Sequence, residues 1–128
     1  MKLKLFVSLI FLMMSMSCAQ NLDIPSISVE ELQSKMDADY TLIILDVRTP
    51  QELVGPLGKI DLVINIPVQT LSNRISELEK YKANNFAVIC RSGNRSQLGT
   101  KILIDNGFNA VNVLGGMKMY RKKIEAKK

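Results

Sequence analysis

No histidine occurs anywhere in the 128 residues. That absence excludes Ser-His-Asp triads, Cys-His nucleophile pairs and histidine-ligated metals together. A nucleophile in this chain must be activated by something other than an imidazole. Tryptophan is absent too, and aromatics make up only 5% of the residues, so the core has to be aliphatic. The two cysteines, Cys18 and Cys90, are too few for a zinc site and too far apart for a C-x-x-C redox pair. What is present is the composition of one globular domain, 47% hydrophobic and 23% charged. Its length suits a single domain, with enough chain to bury a core without disulfides or metals.

Residues 1–19 read as an address. Lys2 and Lys4 precede an apolar stretch from Leu5 to Met16 broken only by serines, and small residues follow. A basic start, a short apolar run and small residues make a secretory signal. The run falls short of the ~20 residues that a membrane span needs. Two endings stay open. Ser17-Cys18-Ala19 fits small-x-small cleavage, with Gln20 as the first mature residue. Ser15-Met16-Ser17-Cys18 resembles a loose lipobox, with Cys18 lipidated, although Ser15 stands where leucine is usual. Either ending places a domain of residues 20–128 in an exported compartment of a bacterium, periplasmic or anchored to the membrane. Either also leaves Cys90 as the only free thiol. Structural cysteines in such compartments come in pairs, so an unpaired one points to chemistry.

Loss of Lys2 and Lys4 with the leader lowers the formal charge of +5 by two. The remaining excess lies at Lys118, Arg121, Lys122, Lys123, Lys127 and Lys128. It reads as a solvated helix end complementing the helix dipole, rather than a surface for nucleic acid or lipid.

Along the mature chain, a first edge strand is expected near Pro25-Ser26-Ile27. Ser28 to Glu31 has the form of a capping box opening a helix to about Met36, ended by Asp37-Ala38-Asp39. Thr41 to Leu45 is a continuous apolar strand, as in a parallel sheet covered on both faces. Leu62 to Ile66 predicts a second strand, closed by Pro67. Leu71, Ile75 and Leu78 recur at helical spacing within 70–81. Phe86 to Ile89 predicts a third strand. Gln97 to Asn106 follows as a helix with Leu98, Ile102 and Leu103 inward, and Gly107 just past its end. Ala110 to Val113 is the last strand, and Gly115-Gly116 leads into a short basic helix. Strands alternating with helices give a central parallel sheet of about five strands flanked by helices on both faces. In such sheets the site lies at the carboxyl ends of strands.

Two strand ends carry chemistry. One is Asp46-Val47-Arg48. The other is Cys90-Arg91-Ser92-Gly93-Asn94-Arg95-Ser96, set between a buried strand and a helix. Backbone amides of such a loop can turn inward around the sulfur, and the helix start adds partial positive charge. Arg91 and Arg95 add formal charge. All of this favours a thiolate without histidine.

Cys-Arg-Ser-Gly-Asn-Arg-Ser resembles the active-site loop of the rhodanese superfamily. Asp46-Val47-Arg48 with Glu52 resembles its D-V-R-x-x-x-E segment, Asn65-Ile66-Pro67 its N-I-P strand end, and Gly107-Phe108 through Gly116 its closing segment. The resemblance spans roughly residues 26–122 and implies a single-domain, rhodanese-like α/β fold. It implies ping-pong sulfur transfer, in which Cys90 takes sulfane sulfur from a donor such as thiosulfate and passes it to cyanide or a thiol. Arg91 and Arg95 would orient an anionic donor; Asp46 and Arg48 would belong to the shell around the loop, with Asp46 bracing an arginine. A protein thiol could serve as acceptor. No cofactor, metal or nucleic-acid partner is implied. The sequence departs from the family at Gly58-Lys59-Ile60-Asp61-Leu62-Val63, where relatives read G-H-I-x-G-A, and at Tyr120, where tryptophan is common.

Two rivals share this resemblance. Phosphatases of the same fold need C-x5-R, and the residue so placed after Cys90 is Ser96. A non-enzymatic binding module or persulfide carrier is the other; binding modules commonly lose the cysteine.

Overall fold

The computed structural model describes residues 23–127. The leader expected over 1–19 lies outside them. No helix among the described residues is long and apolar enough to cross a membrane.

The elements in chain order are β1 (Ser26–Ile27), α1 (Val29–Ala38), β2 (Ile43–Asp46), α2 (Pro50–Leu53), β3 (Ile64–Asn65), α3 (Val68–Arg74), a 3-10 segment (Ile75–Tyr81), β4 (Asn85–Ile89), α4 (Asn94–Asp105), β5 (Asn109–Val113), α5 (Gly116–Lys123) and a last 3-10 turn (Glu125–Lys127). The five strands form one sheet in the order β1-β5-β4-β2-β3, with every pairing parallel.

Alternation along the strands builds two cores. Leu45, Phe86 and Val88 face Leu71, Leu78 and Leu103 on one side of the sheet. Ile44, Ala87 and Ile89 face Leu32, Met117 and Tyr120 on the other. Both faces are therefore covered, one by α3 and α4 and the other by α1 and α5. Tyr120 is buried in the second core.

Several local readings differ from the structure. Thr41 does not open β2, because its amide and hydroxyl both bond to the Asp39 carboxylate in a turn. Leu62 is not in a strand; it sits at φ 63° and is 98% exposed, so the apolar run begins in a turn. The helix expected over 70–81 is α only to Arg74 and then tightens to 3-10. Leu98 faces solvent, and the inner face of α4 carries Ser96, Gly99, Thr100 and Leu103 instead. Small residues are needed there because α4 lies close on the sheet: a Cβ on Gly99 would come within 3.1 Å of Val88 and 3.2 Å of Val47.

Caps hold the helix ends, but at Ser28 only one half of the expected capping box forms, and the reciprocal box is found at Thr49 and Glu52 instead. Ser28 Oγ accepts from the Glu31 amide at 3.1 Å. After α4, the amides of Gly107 and Phe108 donate back to Ile104 and Leu103, each at 3.0 Å, closing a Schellman motif around left-handed Gly107.

Candidate active site

β4 ends at Ile89 and delivers Cys90 to the carboxyl edge of the sheet, between β2 and β5. Its sulfur lies at the floor of the turn that follows, and the residue is only 1% exposed. The turn is tight because Gly93 adopts φ 103°, and a Cβ there would press on the Gly115 amide nitrogen at 3.2 Å. Asn94, Arg95 and Ser96 are the first turn of α4 rather than loop, so the helix begins three residues earlier than its apolar spacing suggested.

The Gly93 amide donates to Cys90 Sγ at 3.1 Å, and Ser96 Oγ lies 3.3 Å from it. Burial pushes the thiol pKa up, but the Ser96 hydroxyl, when turned to the sulfur, and the amides of Ser96, Gly93 and Ser92 pull it down. The balance falls below the ordinary thiol value. A hydroxyl and peptide donors thus favour the thiolate with no histidine present.

The turn is braced from behind. Met117 and Lys118, in the first turn of α5, donate their amides to the carbonyls of Cys90 and Arg91 at 2.9 and 3.0 Å. Gly116 permits this approach: a Cβ on it would lie 2.5 Å from the Cys90 carbonyl oxygen. The closing Gly-Gly pair is where the last helix touches the peptide of Cys90.

Asp46 and Arg48 form a second brace. Arg48 Nε and Nη2 reach the Asp46 carboxylate at 3.0 and 2.6 Å, with both residues essentially buried. Arg48 Nη2 also donates to the Gly58 carbonyl at 2.8 Å, and Arg121 Nε to the Leu57 carbonyl at 2.5 Å. The loop that departs from the family pattern is therefore pinned by arginines from both sides. Arg121 is part of this clamp and not only of a solvated basic helix end; its neighbour Lys123 pairs with Glu30 at 2.9 Å.

Arg95 turns to Glu52 and not toward open solvent over the sulfur. Arg91 is exposed and lines a cleft of about 350 Å³ with Gln51, Glu52, Pro56 and Leu57. Ser92 and Asn94 are exposed at the rim. Sequence reasoning missed two participants. Glu52 has no assigned role in the motif, yet its carboxylate both caps α2 through the Thr49 amide and holds Arg95. Asn112 stands in the sequence as one residue of a strand, yet it is fully buried and accepts from Ser96 Oγ at 2.6 Å. The signal is an amide flanked by Val111 and Val113 in a mostly apolar strand, which must find polar partners inside.

Comparison with known proteins agrees with this geometry. YtwF of Bacillus subtilis, whose name carries the word sulfurtransferase, is 34% identical over 106 residues, covering 83% of this chain and 99% of that protein. YrkF of the same organism, whose name carries the words sulfur carrier protein, is 36% identical over 80% of this chain, which spans only 54% of YrkF. The solved rhodanese-related protein of Thermoplasma volcanium superimposes with a TM-score of 0.69 at 34% identity, covering 78% of this chain and 93% of that one. Residues 28–123 match the family described as Rhodanese-like domain. With a five-stranded parallel sheet, a cysteine at its carboxyl edge and this match over most of its length, the chain belongs to the rhodanese-like domain family.

Proposed function

We propose that the protein transfers sulfane sulfur through a persulfide on Cys90. The observation that carries this reading is the ring of N–H donors around a buried sulfur at the start of α4. The Cys90 thiolate attacks the outer sulfur of a donor such as thiosulfate. A new S–S bond forms, the donor's S–S bond breaks, and sulfite leaves with the electron pair. An acceptor thiolate or cyanide then attacks the outer sulfur and Cys90 departs as thiolate. Fixed amide donors suit the negative charge that resides on the outer sulfur in between. Arg91, exposed beside the cleft, attracts the anionic donor; Ser92, Gly93 and Asn94 shape the mouth. The turn is one residue too short for C-x5-R, which disfavours phosphate.

The test is the intact mass of the protein after incubation with thiosulfate, with Cys90→Ser alongside. Wild type should gain one sulfur, about 32 Da, and the variant none. Absence of any adduct with thiosulfate and other sulfane donors overturns the reading. A carrier role is the second reading, supported by the likeness to YrkF. Stoichiometric loading without turnover on cyanide or small thiols would favour it. We place this chemistry in an exported compartment on the strength of the leader sequence; finding the protein in the cytosolic fraction would refute that placement.

A further inference from the structure

Four side chains and a carbonyl in a row connect the nucleophile to the edge of the sheet. Ser26 Oγ donates to the Ile24 carbonyl at 3.0 Å. Its one proton is thereby used, so toward Asn112 it acts as acceptor, taking Nδ2 at 3.4 Å. That arrangement turns the amide oxygen of Asn112 inward, where it accepts from the Ser96 hydroxyl at 2.6 Å. Ser96 also has one proton. With that proton on Asn112, it faces Cys90 Sγ, 3.3 Å away, as an acceptor.

We infer that Asn112 is a positioning residue for Cys90: by holding the Ser96 proton, it makes the thiolate compete with a buried amide for that hydroxyl. The inference rests on Cys90 being the reacting group, but concerns its ionisation and not its sulfur chemistry. In the thiol state every atom of the row is satisfied, with S–H donating to Ser96 and Ser96 to Asn112. In the thiolate state Ser96 turns to the sulfur and strands a fully buried amide oxygen, which is costly. A persulfide requires no such turn, because Sγ is then a neutral bridging atom and the charge sits on the outer sulfur. The row therefore favours the empty thiol and the loaded persulfide over the bare thiolate between them.

The charged groups of the elements packed around the turn are Arg91, Arg95, Asp46, Arg48, Glu52 and Lys118. Asp46 pairs with Arg48, and Glu52 with Arg95. Substitution at 26 or 112 changes none of them.

The test is the rate of Cys90 alkylation by iodoacetamide against pH, with no sulfur donor present. Asn112→Val suits a strand and releases the Ser96 proton to the sulfur, so the midpoint should fall by about one pH unit. Ser96→Ala removes that donor and should raise the midpoint. A merely structural role for Asn112 would loosen the site, and both variants would then move upward together. An unchanged or raised midpoint for Asn112→Val overturns the inference. Should that variant not fold, Ser26→Ala, at the exposed edge, decides in the same way with a smaller fall expected. Because alkylation needs no sulfur transfer, a downward shift in a protein that forms no persulfide would uphold this inference while removing the sulfurtransferase reading.

Discussion

The guanidinium of Arg95 closes on both carboxylate oxygens of Glu52, Nη1 on Oε2 at 2.8 Å and Nη2 on Oε1 at 2.7 Å. This two-point contact ties α2 to the first turn of α4 across the mouth of the site.

Arg95 above all, with the Thr49 cap, holds the Glu52 carboxyl at about 2, against an ordinary 4.5. A carboxyl whose pKa is depressed by folding contributes stability that is fully present above about pH 4.5 and is lost as pH falls toward 2. Both side chains are 31% exposed, so solvent screening cuts the contribution well below the face value of the shift. Glu52→Gln should cost about 1–2 kcal/mol at pH 7. Urea denaturation of both proteins at pH 7 and pH 3 checks this. The gap should narrow at the lower pH; an equal gap at both would refute the assignment.

Asp46 and Arg48 answer to a different rule, because they are 0% and 1% exposed. Asp46→Ala leaves a buried guanidinium with only carbonyls for partners and should cost about 3–5 kcal/mol. Replacing both residues with apolar ones of similar volume should recover part of that loss in stability while leaving the Gly58 carbonyl without its donor. Guanidinium denaturation midpoints of the single and double variants measure the difference.

At Gly116 the backbone adopts φ 56° and an added Cβ would lie 2.5 Å from the Cys90 carbonyl. Neither the strain nor the contact can be relieved by moving a flexible side chain. Gly116→Ala should cost about 2 kcal/mol or more and abolish persulfide formation by displacing the turn. Gly55→Ala, whose Cβ would meet the Glu52 and Gln51 carbonyl oxygens at 3.3 and 3.6 Å and carries no positive φ to strain, serves as the stability control.

Arg91 is exposed, so Arg91→Ala should leave stability within about 0.5 kcal/mol. It should raise KM for thiosulfate about tenfold with little change in kcat, the mark of a group that gathers an anionic donor. The penalty should shrink in added salt. A fall in kcat at unchanged KM would instead place Arg91 at the reacting atoms.

The legible part of this protein was its alternation. Ile43-Ile44-Leu45 and Phe86 to Ile89 are apolar on both faces and could only be strands covered on both sides, so the sheet followed from them. The cysteine turn was legible because charge, glycine and a helix start converge on one residue. Leu62 escapes the pattern because hydrophobicity alone does not reveal a residue at positive φ. Leu98 escapes it because close packing of α4 favours small side chains on its inner face, Ser96, Gly99 and Thr100, over large apolar ones. Glu52 and Asn112 carry polar contacts across 43 and 16 residues of chain, and spacing in one sequence does not encode such distant pairs.

The bonds from Met117 and Lys118 to the carbonyls of Cys90 and Arg91 set an order of assembly. During synthesis the cysteine emerges well before the helix that orients its peptides. Until residues 115–118 are in place, the carbonyls of Cys90 and Arg91 lack these two donors. Only in the completed chain is the turn held from both sides, by its own contacts to the sulfur and by the last helix behind it.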